Sequence, residues 1–196
     1  MDKGDSPLSK RIRGRPRNDA KRQVVQRLLE ATELLLQEHS HVDLTERKIA
    51  AVAETNEAMI HYYFGDKDGL LFAAIVRYYD DVSDRLQALE LIDPASKLVT
   101  RDIFKIMIGA YCLKPWIARI AISEFARGHS SIKEAYMKKF GPQGFGLARL
   151  RQVFERLIES GIYGRRVNAE HAALGMFSMI TGPIFMAHSM AGTALI

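Results

Sequence analysis

The chain has 196 residues, 47% hydrophobic and 26% charged, with a formal net charge of +5. That is long enough for one large domain, or a small domain fused to a larger one, and it excludes a disordered or low-complexity chain. Its apolar runs are broken by Arg, Glu, Lys or Gly well before the roughly 18 residues a membrane-spanning helix needs. No apolar run follows the basic N-terminal residues to make a signal peptide, so a cytoplasmic protein without membrane attachment is expected. The single cysteine, Cys112, excludes an internal disulfide framework and reads as a small buried hydrophobe.

The charge is unevenly distributed. Residues 1–27 hold nine Lys or Arg against three Asp, a segment charge of +6 that leaves −1 for the rest. A basic leader on a near-neutral body is the pattern of a chain whose one end meets a polyanion. Within it, Arg13-Gly14-Arg15-Pro16-Arg17 resembles the core of an AT-hook. Pro16 biases the backbone towards an extended form, Gly14 permits close approach, and narrow A·T minor grooves attract Arg. Groove insertion and plain phosphate attraction both remain open for Arg13, Arg15 and Arg17.

From Asp19 the pattern becomes helical. Val24, Leu28, Ala31 and Leu35 form one apolar stripe, and the helix is expected to end near Glu38. His39 and His41 follow, but residues two apart share no helical face and no third ligand stands nearby, so a loop is read there rather than a metal site. Thr45 is a good N-cap for a short helix beginning at Glu46, with Leu44 and Ile49 placed to form a hydrophobic staple. After Glu54-Thr55, Asn56 can cap a second short helix to about Tyr63. Phe64-Gly65 ends that helix, and Asp66 caps a long one from Lys67 to about Leu91. Two short helices joined by a tight turn are a helix-turn-helix, whose second member enters the major groove of DNA.

The stretch IAAVAETNEAMIHYYFGDKDGLL, Ile49 to Leu71, resembles the signature region of the TetR family of repressors. Ile49-Ala50 opens the signature, Ala53 begins the turn, Tyr62, Tyr63 and Phe64 supply the aromatic cluster, and Gly65-Asp66-Lys67-Asp68-Gly69-Leu70 closes it. With the leader and first helix, the resemblance covers about residues 10–75. Two departures stand out: Glu54 replaces the family's turn glycine, and the usual recognition-helix Tyr falls at His61.

Helical geometry then assigns sides. Ile60 and Phe64, four apart, should face inward, and Asn56, Glu57, His61, Tyr62 and Tyr63 should face DNA. Lys67 at the start of the long helix is expected at a phosphate, with Thr45 and Arg47 clamping the backbone. The resemblance implies an all-α fold. A leader (1–18) would precede a helix-turn-helix DNA-binding domain (19–66) and a larger helical effector-binding and dimerisation domain (67–196).

Beyond Asp93-Pro94 the sequence is almost wholly helix-forming, over about 95–113, 115–127, 131–140, 145–160 and 169–189. Gly141-Pro142-Gln143-Gly144 lacks a preceding strand and a following Gly-Lys, so it reads as a linker rather than a phosphate loop. Gly182-Pro183 should kink the last helix. In the family the final helix pair forms a four-helix dimer bundle, which implies an interface from Leu150, Phe154, Leu157, Met176, Ile180 and Ile184. The family's effector pocket implies lining by Phe104, Met107, Tyr111, Trp116, Phe125, Met176 and Phe177, whose few charges suit an apolar or aromatic small molecule. Tyr111 and Trp116 stand out because their polar atoms need partners when buried.

No nucleophile–base set, metal cluster or phosphate loop emerges, so a binding protein rather than an enzyme is expected, with no cofactor. The expected function is a homodimeric repressor on palindromic operator DNA, released by a small-molecule effector. A constitutive architectural DNA-binding protein and a helical adaptor with a basic tail are the alternatives.

Overall fold

A computed structural model describes residues 16–92, 99–127, 130–141 and 144–191; the side chains of 16–18, 89–92, 99–100, 122, 125, 184–185 and 187–191 fall outside it. Among the described residues the fold is all-helical. In chain order the helices are α1 (Pro16–Glu38), α2 (Glu46–Val52), α3 (Glu57–Phe64), α4 (Lys67–Ile92), α5 (Val99–Leu113), α6 (Trp116–Ala126), α7 (Ser131–Phe140), α8 (Gly144–Glu159) and α9 (Ala169–Ala191). Helix α1 begins three residues before the expected Asp19, at Pro16, whose fixed φ and missing N–H suit a first turn. Among described residues no helix is long and apolar enough to cross a membrane.

The caps form where short polar side chains precede apolar runs. The Thr45 hydroxyl accepts from the Lys48 amide, Asn56 from Met59 and Ser130 from Lys133, while Asn168 accepts from His171 at the head of α9. The staple residues Leu44 and Ile49 are both buried. They join Leu28, Leu36, Ile60, Leu70 and Leu71 in a core that α1, α2, α3 and α4 share.

Helix α4 carries that core onward. Ala74, Tyr78, Val82 and Leu86, at helical spacing, are buried against the later helices together with Ile103, Met107, Trp116, Leu150 and Phe154. Helices α8 and α9 pack most intimately, and Gly146 is the reason: a Cβ there would sit 2.7 Å from the Phe177 ring. Pro183, expected to kink the last helix, lies inside α9, which continues to Ala191. Cys112, expected to be buried, is exposed. It follows Tyr111 on the outward side of α5, where the apolar stripe has already turned inward.

One glycine sets the spacing between α3 and α4. A Cβ on Gly69 would lie 2.0 Å from the Phe64 carbonyl oxygen, a backbone atom that no side-chain motion can clear. Gly69→Ala therefore forces the two helices apart. Although Ala gains about 1 kcal/mol in helix propensity, the clash should leave the variant less stable by about 2 kcal/mol or more, read as a lower midpoint in denaturant unfolding.

Candidate nucleic-acid interface and its link to the larger domain

Helices α2 and α3 stand side by side with a turn, Ala53 to Asn56, between them. Its geometry turns on Glu54, whose φ of +50° is the one positive value at a non-glycine residue among those described. A side chain in the left-handed region is strained. The turn is held by Thr55 N–H to the Ala50 carbonyl at 2.9 Å and by Arg27 of α1, which reaches the Glu54 carbonyl at 3.4 Å. Glu54, where the family signature has glycine, thus takes up a positive φ, the region glycine tolerates best.

The outer side of α3 carries Glu57, His61 and Tyr62, all exposed, and Tyr62 is 66% accessible, unusually high for a large aromatic. Its ring meets Tyr63 edge-on at 4.8 Å between centroids; Tyr63 is half-buried and meets Phe64 in turn. Ile60 is fully buried, as its spacing requires, and Phe64 half-buried. Arg47 and Lys48 are exposed on α2, and Lys21 and Arg22 on α1. Arg13 and Arg15, and the side chain of Arg17, lie outside the described residues.

Several residues expected to reach DNA are engaged inside the protein. Thr45 and Asn56 spend an oxygen on their caps. The His61 ring lies between the Gly65 carbonyl (Nδ1, 2.9 Å) and the Glu46 carboxylate (Nε2, 2.9 Å). Those neighbours hold its pKa above the ordinary histidine value: first the Gly65 carbonyl, then the Glu46 charge, against a small opposing effect of burial. Lys67 differs most from expectation. Its ammonium donates to the carbonyls of His41 (3.2 Å) and Leu44 (3.0 Å), groups of the α1–α2 loop that no helix satisfies.

A polar seam that the sequence did not reveal joins this unit to the later helices. His41 is buried, and its Nε2 lies 2.6 Å from Oε1 of Glu124 on α6, which is buried too. Ser130 donates to the other carboxylate oxygen, and Arg127 approaches at 3.1 Å. Burial alone would raise the Glu124 pKa, but the hydrogen bonds from Ser130 and His41 and the nearby Arg127 outweigh it and hold the carboxyl below its usual range. Nearer the start of α6, Arg119 donates to the carbonyls of Leu36 and Gln37 at the C-terminal end of α1. Lys114 pairs with Glu33 at 2.5 Å, and Ser131 at the start of α7 donates to Asp68 of α4. The one sequence signal was His41 itself, a histidine in a loop; its partner is 83 residues away.

Of the expected effector-lining residues, Met107, Tyr111, Trp116 and Met176 share the buried core of the later helices, with Phe104 and Phe177 half-buried against it. The Phe125 side chain lies outside the described residues. Trp116 is 1% exposed, and among the described residues its indole N–H has no acceptor. Tyr78 packs 6.4 Å from it, Tyr79 lies 5.8 Å from Tyr136 between ring centroids, and the Tyr136 hydroxyl accepts from the Phe145 amide. Burial pushes the Tyr111 phenol up to about 12, so it stays neutral. A separate open groove of about 620 Å³ lies between α1, α4 and α7, bordered by Leu29, Phe72, Val76, Asp80, Asp84 and Lys139, and none of the expected lining residues borders it. No cluster that could hold a metal occurs among the described residues.

The expected dimer residues are also placed inward. Leu150, Phe154, Leu157, Met176 and Ile180 are buried within a single chain, filling the α8–α9 contact, while the Ile184 side chain lies outside the described residues. The outward side of α9 instead carries Leu174, Met179 and Met186, 49%, 62% and 62% exposed.

Residues 28–74, which contain the helix-turn-helix, match the family described as bacterial regulatory proteins, tetR family. Over 183 residues the chain is 31% identical to the HTH-type transcriptional regulator BetI of Serratia proteamaculans, covering 86% of this chain and 82% of that protein. The BetI of Yersinia pestis is 30% identical over 170 residues, covering 80% and 77%. The chain belongs to the TetR family. It is a transcriptional regulator of a family that binds DNA through a helix-turn-helix and does not comprise enzymes. Solved TetR-type structures share the fold at low identity. A TetR transcription regulator from Haloarcula marismortui superposes with a TM-score of 0.69 at 20% identity, covering 87% of this chain and 88% of that one. The complex of SmeT with triclosan superposes with a TM-score of 0.62 at 17% identity, covering 85% and 83%.

Two measurements check this reading of the TetR unit and its seam. Glu54→Gly relieves the positive φ and should raise the thermal unfolding midpoint, by about 0.5–1 kcal/mol in stability; a lowered midpoint would show that the turn is unstrained. Glu124→Gln should cost about 2–3 kcal/mol near neutral pH by weakening a buried charged contact. Because the Glu124 pKa is depressed in the folded chain, its contribution is present above the ordinary value of 4.5 and lost as pH falls below it. The gap between variant and unaltered chain in urea unfolding should therefore close in acid.

Proposed function

We propose that two copies of this chain pair through α8 and α9, place the α3 helices in successive major grooves of a palindromic operator, and repress transcription until a small molecule bound in the larger domain releases them. The observation that carries this reading is the capped α3 with Tyr62 standing exposed beside the exposed cations of α2. An aromatic phenol costs free energy in water, and there it has both a ring for the groove and a hydroxyl for a phosphate. Tyr62, Glu57 and Arg47 are the direct DNA contacts in this reading. Thr45, Asn56 and Lys67 hold the helices that present them.

Pairing is supported by α9, which is apolar on its inner side and carries Leu174, Met179 and Met186 on its outer side; a helix apolar all round is a buried one. Two-fold pairing gives two recognition helices and hence a palindromic site. Effector binding is supported by the Trp116 indole N–H, a buried donor without a partner among the described residues, which a bound molecule's acceptor would satisfy. The release step rests on α6, which carries Trp116 at one end and the Glu124 contact to His41 at the other. An effector that favours a different setting of α6 shifts the population away from the DNA-fitting spacing. SmeT, a fold neighbour described as the repressor of a multidrug efflux pump, has been solved with triclosan, and a small aromatic compound of that kind is the class proposed here.

Selection of bound duplexes from random-sequence DNA tests the reading. A palindromic consensus is expected, with Tyr62→Ala lowering affinity for it at least tenfold, about 1.4 kcal/mol. Met179→Glu should convert the dimer to monomer in sedimentation and weaken binding to the full palindrome more than to a half-site. Sequence-indifferent binding that Tyr62→Ala leaves unchanged would favour the architectural alternative.

A further inference from the structure

The His61 ring presents both nitrogens to oxygen acceptors. Nδ1 lies 2.9 Å from the Gly65 carbonyl, which can only accept, and Nε2 lies 2.9 Å from a Glu46 carboxylate oxygen, which accepts when ionised. A neutral imidazole has one N–H and one lone pair, so it satisfies one of these contacts and sets a lone pair against the other oxygen. Only the doubly protonated ring makes both. The two acceptors also come from different places: Glu46 opens α2, and Gly65 closes α3.

We infer that Glu46 and His61 form a positioning pair that fixes α3 against α2 and holds an imidazolium on the exposed side of the recognition helix, so that the chain binds duplex DNA more tightly as pH falls through neutrality. The inference rests on the DNA-binding reading above and adds a regulation to that site. His61 acts here through the helix it holds and through its charge, and no base contact is assigned to it.

The surroundings favour the cation. From α2 the facing charge is Glu46; from the turn into α4 it is Asp66, and on α3 itself Glu57 stands one turn earlier. All three are acidic. Without a proton on His61, the carboxylates of this edge would face a phosphate ladder with the exposed Arg47 and Lys48 of α2 as counter-charges but no cation on α3 beside them. With it, the Glu46 charge is neutralised and both hydrogen bonds form. The pair is exposed enough to exchange protons freely, its side chains being 56% and 21% accessible. As pH rises the ring loses its proton, one of the two hydrogen bonds goes with it, and the acidic edge repels DNA.

The test uses the full chain, with a duplex selected by it from random-sequence DNA, titrated by fluorescence anisotropy at constant ionic strength between pH 5.5 and 8.5, about one unit or more to either side of the histidine range. Affinity should fall on the order of tenfold from the acid to the alkaline end. His61→Gln should flatten the profile, and Glu46→Gln should move its midpoint to lower pH. A purely structural His61 would instead make His61→Gln weaker by the same factor at every pH. In the DNA-free chain the His61 ring protons, followed by NMR and assigned by their loss in His61→Gln, should titrate above the ordinary 6.5. A His61→Gln profile as steep as that of the unaltered chain, or a ring titrating at or below 6.5, overturns the inference. Failure to select any duplex would count against DNA binding itself, and the ring titration still reads the pair independently.

Discussion

The short loop between α1 and α2 is held from two sides, and the placement of the recognition helix depends on it. Inside, the His41 ring meets the Glu124 carboxylate; outside, the carbonyls of His41 and Leu44 are taken by the Lys67 ammonium. Neither side chain of the buried pair would be tolerated alone, because a carboxylate removed from water without partners costs several kcal/mol, on the order of its desolvation. With Ser130 and Arg127 added, the Glu124 oxygens are satisfied and the loop has one position. Since Leu44 leads directly to the Thr45 cap, that position also sets where α2 begins, and α3 leans on α2 through Ile49 and Ile60.

A tight recognition unit has little backbone to spare, and the chain meets that shortage at two places. At Gly69 it removes the side chain altogether, which lets the first turn of α4 lie against the Phe64 carbonyl. At Glu54 it keeps a side chain and accepts a left-handed residue, with Arg27 of α1 hydrogen-bonded to the strained carbonyl. The difference is physical. Gly69 faces packed backbone, whereas Glu54 faces solvent, so its Cβ strains only its own dihedrals.

Much of this was legible because it is local. The caps at Thr45 and Asn56, the staple of Leu44 and Ile49, and the inward Ile60 follow from spacing alone, as do the helix bounds within a few residues. The polar seam was not legible, because His41 and Glu124 are brought together by the folding of the whole chain and neither belongs to a spacing motif. Lys67 misled for a related reason: a lysine at a helix start is an ordinary phosphate ligand, and only the fold shows that loop carbonyls reach it first. On α8 and α9 the family resemblance implied an interface whose described residues lie inward within one chain. The stripe through Met176 and Ile180 is real, but one chain buries it against α8, leaving the weaker stripe through Leu174 and Met179 outward.

These placements make α6 the element through which the two halves of the chain can affect each other. Trp116 begins it in the aromatic core, beside Tyr78, with its indole N–H unmatched among the described residues. Arg119, one turn on, holds the end of α1, and Glu124, two turns on, holds the α1–α2 loop. A rise of about 1.5 Å per residue puts Trp116 and Glu124 roughly 12 Å apart along a single rigid helix. Packed interiors respond to a displacement by moving as units rather than by deforming smoothly. A molecule that engages Trp116 therefore acts on a rod whose other end grips the recognition unit. Either α6 stays in place and the α1–α2 loop keeps its setting, or α6 moves and the half-buried Arg119 contact and the buried Glu124 contact must break or follow. Following costs less than breaking, since a broken contact strips the buried His41 ring and Glu124 carboxylate of the hydrogen bond between them. In the release step proposed above, the seam would thus transmit motion rather than absorb it, with α1 and α2 travelling with α6.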